Sequence, residues 1–268
     1  MKLSFSTVAT PRWSWQDIVS AASDLGYAGI EVRGLGDDLF LPHSGQFMPE
    51  NIPHIVSGLR SKNLCISCLA SDTYVHDAAQ DAEAALGSYI RLAASLGVAG
   101  IRVLADSWGA PGAPVDEDLV LRRLRALAAP ASEAGVELWV ESNGAWASSP
   151  RLRALLDGVA SPFVAAVWDI HHPFRYFGET VAETTENIGK YIRHVHIKDS
   201  VMQGGKVVYK MLGFGDLPLA EALAALKAAC YGGFISVEWV KRWEGELEDG
   251  GVVLPHALYR LQALLNGG

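Results

Sequence analysis

A strand-like stretch in the second half of the chain carries three side chains that can do chemistry. In the segment Tyr191–Asp199, His194, His196 and Lys198 alternate with apolar residues. Side chains alternate across a β-strand, so these three share one face. Neutral imidazole is the commonest metal ligand in proteins. The stretch therefore predicts one part of a site, whose other groups must come from other strands.

Three further apolar runs end in a carboxylate, at Glu141, Asp169 and Glu238. Glu141 and Asp169 are 28 residues apart, and Asp169 and His196 are 27 apart, which is close to the ~30 residues of one strand–helix–strand unit. Consecutive parallel strands therefore place these side chains next to each other. The 42 residues from His196 to Glu238 leave room for a longer loop, which we expect over Ser200–Gly215.

Carboxylates that cluster in this way need a cation, because burying them unpaired is costly. Mixed oxygen and nitrogen ligands with open positions suit Mn²⁺, Mg²⁺, Co²⁺ or Zn²⁺. The alternative is that each acid is a helix cap or a solvated loop charge. The recurrence of the pattern at four strand ends favours the metal site.

The elements that must position these residues alternate from one end of the chain to the other. Apolar runs punctuated by glycine alternate with helical patterns, which predicts βα units on a parallel sheet. Eight such units close an α/β fold, a single (β/α)8 TIM barrel, in which chemistry occurs at the carboxyl ends of the strands. The predicted strands lie near Leu3–Val8, Gly29–Arg33, Leu64–Leu69, Gly100–Leu104, Val136–Glu141, Phe163–Asp169, Tyr191–Lys198 and Phe234–Trp239.

Capping residues and glycines predict where helices begin and end. Five helix starts are expected at or next to Ser14, Pro49, Asp116, Thr180 and Asp216. Helix ends are expected at Gly26, Gly97 and Gly135, because glycine adopts the left-handed conformation that stops a helix.

Length and composition limit the class of protein. The 268 residues, half of them hydrophobic, suit one large core, so we expect a single domain over residues 1–268. A net charge of −8 argues against nucleic acid and anionic membrane as partners. No run approaches the ~20 apolar residues of a membrane span, and no apolar signal core follows Met1. We expect a cytoplasmic protein that acts on a small molecule, and a homo-oligomer is compatible with this.

The three cysteines are too few for a disulfide framework. Cys65 and Cys68 have the spacing of a C-x-x-C motif, but they lie in a predicted strand, where residues three apart face opposite ways. We interpret them as small residues that pack as hydrophobes.

The chain resembles the sugar phosphate isomerase/epimerase family, the xylose-isomerase-like metal-dependent TIM barrels. The resemblance covers essentially the whole chain and is carried by Glu141, Asp169-Ile-His-His172, His194-Val-His196-Ile-Lys-Asp199, Gly213-Phe-Gly-Asp216 and Ser236-Val-Glu238-Trp239. It implies that Glu141, Asp169, His196 and Glu238 hold one divalent metal ion, with Mn²⁺ favoured, and that His172 contacts a substrate oxygen. The motifs specify the metal better than the substrate, since the family includes epimerases, isomerases, dehydratases and a DNA-repair endonuclease.

The activity that this resemblance implies is isomerisation or epimerisation of a keto-sugar or related polyol. A metal that chelates the carbonyl and its neighbouring hydroxyl makes the adjacent C–H more acidic. As in the epimerases, Glu141 and Glu238 are expected to remove and return a proton around an enediolate. A dehydratase (lyase) of an inosose or keto-glycoside is the alternative, and a non-catalytic binding subunit is a weaker one. An endonuclease is disfavoured by the acidic charge and by Asn143, where another histidine ligand is expected.

Six residues near strand ends are predicted substrate contacts: His172, Lys198, Arg33, Glu31, Trp108 and Trp239. For Lys198 the alternative is a surface ammonium paired with Asp199 or another acid. For Glu31 with Arg33 the alternative is a salt bridge at the rim. His194 is expected to be a hydrogen-bonded core histidine. Tryptophans at strand ends favour a flat apolar wall for a sugar ring: Trp13, Trp108, Trp146, Trp239 and Trp243.

The segment Gly213-Phe-Gly-Asp216 lies near the place where such barrels often bind phosphate. If Asp216 caps the following helix, its carboxylate repels a phosphate there. The sequence therefore favours an unphosphorylated polyol or ketose.

Overall fold

The computed structural model describes residues 1–107, 110–112 and 114–267. Its strands are β1 (Lys2–Ser6), β2 (Gly29–Val32), β3 (Cys65–Tyr74), β4 (Gly100–Leu104), β5 (Glu137–Glu141), β6 (Val164–Asp169), β7 (Ile192–Ile197), β8 (Asp199–Gln203), β9 (Lys206–Lys210) and β10 (Phe234–Val237). Eight of them are parallel and close a barrel in the order β1-β10-β7-β6-β5-β4-β3-β2, while β8 and β9 form a separate antiparallel pair. The predicted (β/α)8 barrel is confirmed.

The helices follow the strands around the barrel. They are α1 (Trp15–Leu25), α2 (Ile52–Ser61), α3 (Ala82–Leu96), α4 (Glu117–Ala134), α5 (Ser149–Val159), α6 (His171–Phe177), α7 (Val181–Ile188), α8 (Leu219–Ala228) and α9 (Gly250–Asn266). Within the described residues, no helix is both long enough and apolar enough to cross a membrane.

Several helices begin and end at the capping residues and glycines from which their boundaries were predicted. The hydroxyls of Ser14 and Thr180 accept from the third helical N–H in capping boxes, and the Asp116 carboxylate caps α4. These side chains satisfy N–H groups that have no partner within the helix. Three helices end at the predicted glycines, each with positive φ: Gly26, Gly97 and Gly135.

The inside of the barrel is filled below the level of the predicted site. Cys68, Trp139, Ala165 and Val167 form a buried cluster there, and the indole of Trp139 stacks on His194 with ring centroids 5.7 Å apart. A Cβ at Gly100 would lie 2.1 Å from this indole, so the glycine makes room for the ring. The packed cluster gives the site a rigid floor.

The structure corrects three predictions about elements and adds one element that was not predicted. The stretch expected as a loop over Ser200–Gly215 contains the β8–β9 hairpin, which turns at two positive-φ glycines. Pro49 precedes α2, whose first turn instead holds Pro53. Asp216 is not a helix cap, because α8 begins at Leu219 and the Asp216 carboxylate pairs with Arg175. The short helix α6 directly after β6 was not predicted. The pairing of Asp216 with Arg175, 41 residues away, cannot be recognised from a local pattern.

Candidate active site

Four side chains from neighbouring strands meet at the carboxyl end of the barrel. One ligand atom from each of Glu141, Asp169, His196 and Glu238 lies within 4.8 Å of the others, and all four residues are buried. The barrel order brings β5, β6, β7 and β10 side by side, with Asp169 paired to His196 in register. The sequence therefore placed these residues at one point, and the structure brings them together there.

The donor set fits a divalent cation. Three carboxylates and one imidazole offer oxygen and nitrogen ligands of the kinds that Mn²⁺, Mg²⁺, Co²⁺ and Zn²⁺ accept. Because the cluster is buried, the mutual repulsion of its carboxylates is only weakly screened by solvent. These four side chains are the ones that would hold the ion.

A buried glutamate beneath the cluster fixes the orientation of its histidine. Glu31 has no exposed surface, and its Oε2 lies 2.9 Å from His196 Nε2 and 2.7 Å from His194 Nε2. An ionised carboxylate only accepts, so both Nε2 atoms donate. The other ring nitrogen of His196, Nδ1, then faces Glu141 at 3.3 Å and Glu238 at 3.5 Å. Glu31 therefore points Nδ1 of His196 at the position that a metal would occupy.

The charged forms of His196 and Glu31 stabilise each other. Burial alone would lower the pKa of His196, but the carboxylates of Glu31, Glu238 and Glu141 raise it well above the usual value. Burial would raise the pKa of Glu31, yet the two imidazoles keep it well below the usual range. In the absence of metal, this part of the site therefore holds an imidazolium among carboxylates.

The two predicted catalytic carboxylates each have a cationic neighbour. Arg102 Nε lies 3.0 Å from Glu141 Oε2. Burial raises the pKa of Glu141, but Arg102 and His196 bring it well below the ordinary value. Lys198 and His196 likewise lower the pKa of Glu238 against the effect of burial. Both glutamates are thus carboxylates at neutral pH and able to accept a proton.

Lys198 lies inside the cluster and not on the surface. Its ammonium donates to Asp169 Oδ2 and to Glu238 Oε2, and the residue is 3% exposed. Of the alternative, the surface position and the pairing with Asp199 are not found, whereas a pairing with other acids is. Burial lowers the pKa of Lys198, but Asp169 and Glu238 raise it well above its usual value, so the side chain is cationic at neutral pH.

A cavity of about 340 Å³ opens directly above the cluster. Its lining includes Glu141, Glu238 and three of the predicted substrate contacts, namely His172, Lys198 and Arg33. His172 Nδ1 donates to the backbone oxygen of Ser142 at 3.1 Å, which leaves Nε2 as an acceptor. The cavity lies within the volume range of small-molecule sites.

Two of the predicted contacts lie elsewhere. Glu31 lies beneath the cluster, because its carboxylate is used by the two histidines, and it does not line the cavity. Trp239 is 3% exposed and its indole donates to the backbone oxygen of Glu248. Trp108 lies outside the described residues. The rim salt bridge considered for Glu31 with Arg33 is not formed.

The predicted aromatic wall is reduced to one ring in the described part of the chain. Trp243 lines the cavity. Trp146 is 1% exposed, and its indole donates to the backbone oxygen of Ala105, so it supports the loop after β4. Trp13 packs against the core beside Gly251, at the start of α9. The sequence placed these rings near strand ends but did not determine which way they face.

Several residues of the cavity were missed by sequence reasoning. Arg102 interrupts the apolar strand β4, and an arginine in such a run is a detectable signal of an inward charge. Asp72 and Tyr74 lie at the end of β3, which extends further than predicted. Tyr209 reaches the cavity from the β8–β9 hairpin. No local pattern indicates the role of Tyr209, because the fold of the hairpin brings it there.

The glycine-rich segment after the hairpin wraps around a carboxylate of its own chain. Asp199 Oδ2 accepts from the N–H groups of Gly213 and Gly215 at 2.9 and 3.0 Å, and Oδ1 accepts from Leu217 at 3.3 Å. A Cβ at Gly215 would lie 1.9 Å from Asp199 Oδ1. Asp199 thus uses the backbone donors that a phosphate would need, and this replaces the predicted repulsion by Asp216.

Comparison with known proteins gives a family and a set of similar folds. The family model described as xylose isomerase-like TIM barrel matches residues 19–256. No curated protein sequence matches the chain. Among solved structures, the IOLI protein with a binding zinc atom superposes with a TM-score of 0.80 at 17% identity, over 100% of this chain and 99% of that one.

Two further structures superpose over almost their whole length. D-psicose 3-epimerase, crystallised in the presence of D-fructose, has a TM-score of 0.79 at 17% identity over 100% of both chains. The probable 3-DHS dehydratase AsbF from Bacillus anthracis has a TM-score of 0.78 at 18% identity, over 98% of this chain and 99% of that one. At these identities the likeness shows the shared fold.

Proposed function

Because the chain belongs to the xylose isomerase-like TIM-barrel family, we propose that it is a divalent-metal-dependent isomerase or epimerase of a keto-sugar or related polyol. The observation that carries the proposal is the group of four buried ligands, Glu141, Asp169, His196 and Glu238, beneath an open cavity. When bound there, a divalent ion, for which we expect Mn²⁺, supplies Lewis-acid polarisation of a substrate carbonyl.

Glu141 and Glu238 are the residues that move protons in this proposal. Both line the cavity and both are ionised at neutral pH. One of them removes the proton from the carbon beside the carbonyl, which gives an enediolate, and the other returns a proton. Arg102 holds Glu141 in place by its ion pair, so that this carboxylate keeps its position when the substrate enters.

Two further residues orient the substrate. Lys198 carries a buried ammonium next to Glu238, where it can donate to the oxygen on which negative charge develops. The Nε2 atom of His172 accepts from a substrate hydroxyl, because Nδ1 is already used by Ser142. Trp243 offers a ring on the cavity wall, on which the apolar face of a sugar packs.

The test has two parts, metal content and proton exchange. The purified protein is expected to retain about one divalent ion per chain, measured by elemental analysis. The metal-loaded protein is then incubated in heavy water with a panel of ketoses, and exchange of a substrate C–H for deuterium is followed by NMR. Glu141→Gln and Glu238→Gln are expected to lose exchange, because an amide cannot accept the proton.

Glu137→Gln is the matched control. Glu137 begins the same strand that Glu141 ends, and its carboxylate bonds the indole of Trp139 at the far end of the barrel. Exchange in this variant should match the unaltered protein. An absence of exchange across the panel in metal-replete protein would overturn the proposal. Accumulation of an ultraviolet-absorbing enone would identify the dehydratase alternative instead, because that reaction shares the first proton removal and then expels a β-substituent.

A further inference from the structure

Arg33 is a buried cation on the wall of the cavity. It follows β2, its backbone N–H donates to Thr7 Oγ1 at 2.9 Å, and the residue is 5% exposed. Its guanidinium lies 5.4 Å from the ring centroid of Trp243. The backbone bond and the aromatic contact hold the side chain in place, and the residue lines the cavity.

No acceptor from the described residues meets this guanidinium. Its Nη1 is buried without a hydrogen-bond partner, and no carboxylate of the described part of the chain is within 4.0 Å of it. Asp72 lies on the same cavity wall, but its Oδ1 accepts from the hydroxyl of Tyr89 at 3.1 Å. A buried charge without a partner is unfavourable, so Arg33 is prepared for an anion that comes from outside the chain.

The other two cations of the cavity differ from Arg33 in this respect. Arg102 is paired with Glu141 and donates from Nη1 to the backbone oxygen of Ser71. Lys198 donates to two carboxylates of the cluster. A guanidinium can meet a carboxylate or a phosphate with two parallel N–H groups. A dianionic phosphate brings a second negative charge, for which the described residues of the cavity offer no further unpaired cation. The backbone donors of residues 213–217 are also already bonded to Asp199.

We propose that the substrate carries a carboxylate that binds Arg33, so that the protein acts on a keto-sugar acid in preference to a neutral ketose. This inference rests on the proposed function, because it names the substrate class of the same site. The carbonyl end of the substrate lies over the four-ligand cluster and the carboxylate end lies against Arg33 and Trp243.

The test uses matched sets of ligands. Each set is a D-2-ketohexose, the acid formed by oxidation of its C6, and its 6-phosphate, taken for fructose, tagatose, psicose and sorbose. Binding to the metal-loaded protein is measured by calorimetry. The C6 acid of at least one set should bind about ten- to hundredfold more tightly than its neutral partner, the range that a charge-assisted hydrogen-bonded pair contributes.

Variants at Arg33 decide whether this residue is the cause. Arg33→Met should abolish the preference for the acid, and Arg33→Lys should retain part of it, because the charge remains and the two-pronged geometry is lost. Arg242→Met is the matched control, since the guanidinium carbon of Arg242 also lies near the Trp243 ring, 6.0 Å from its centroid, and Arg242 does not line the cavity. The control should keep the preference.

Folding is checked separately. Because methionine replaces an unpaired buried cation, Arg33→Met should melt at the same temperature as the unaltered protein or a higher one, and should retain its metal. Equal binding of acid and neutral ketose, tighter binding of the phosphates, binding of none of the acids, or a preference that persists in Arg33→Met would each overturn the inference. Failure to bind metal or to exchange deuterium would instead overturn the proposed function.

Discussion

Replacement of Glu31 by glutamine tests whether the glutamate beneath the cluster controls metal binding. The carboxylate of Glu31 accepts from His196 Nε2 and His194 Nε2, which directs His196 Nδ1 towards Glu141 and Glu238. A glutamine has nearly the same shape but no charge. Its amide can also turn its NH₂ towards His196, which would favour the tautomer with the proton on Nδ1 and block the metal ligand.

The size of the effect follows from the hydrogen bond that is weakened. A bond to a charged group contributes about 1.5–3 kcal/mol and a neutral one about 0.5–1.5 kcal/mol. The exchange of carboxylate for amide at a 2.9 Å contact therefore removes on the order of 1–2 kcal/mol. This corresponds to a loss of about five- to thirtyfold in metal affinity, at the lower end of the ~10–100-fold that partners of metal ligands contribute.

The assay is a competition titration of Mn²⁺ and Zn²⁺ against a chelator of known affinity. Cys68→Ala is the matched control, because Cys68 is buried beside Glu31 and His194 but makes no charged contact with His196. The control should bind metal as the unaltered protein does. The reasoning is refuted if Glu31→Gln binds metal with unchanged affinity, or if Cys68→Ala weakens binding equally, since packing alone would then explain the loss.

Three further outcomes are expected. Metal affinity should rise with pH by about tenfold per unit from mildly acidic to neutral pH. The reason is that the pKa of His196 is raised in the metal-free protein, so metal binding must remove the Nδ1 proton. A metal affinity that stays constant across this range in the chelator titration would contradict this. Lys198→Met should bind metal more tightly in the same titration, because the ammonium that it removes donates to Asp169 and Glu238. The variant should also exchange deuterium more slowly. Weaker metal binding by the variant would contradict this expectation. Gly215→Ala should lower the free energy of unfolding by about 1–3 kcal/mol, because the new Cβ would lie 1.9 Å from Asp199 Oδ1. Urea unfolding measures this change. Gly232→Ala is the control and should be unaffected, because a Cβ at Gly232 meets open space.

The barrel and the meeting of the four clustered side chains could be predicted from the sequence because both depend on periodic signals. Strand-sized apolar runs that end in a carboxylate recur at the length of one βα unit. Parallel strands put their carboxyl ends at the same edge, so the position of Glu141, Asp169 and His196 within their strands determines their meeting point. Helix caps such as Ser14 and Asp116 depend on neighbouring residues, and they too were predicted.

The wrongly predicted features have in common that their partners are distant in sequence. Glu31 was expected at the substrate, but it bonds two histidines that are 163 and 165 residues away. Asp216 was expected at a helix start, but Arg175, 41 residues before it, takes its carboxylate. The parity of a strand tells which side a residue faces, and it does not tell which groups it meets there.

The sequence by itself determined the fold and the grouping of the four clustered side chains, since residue type and spacing suffice to place like groups at one end of a barrel. The tertiary structure alone decided which charges are paired. Arg102 and Lys198 have carboxylate partners and Arg33 has none among the described residues. That difference depends on atomic distances between strands, which no one-dimensional pattern encodes, and the proposed substrate class rests on it.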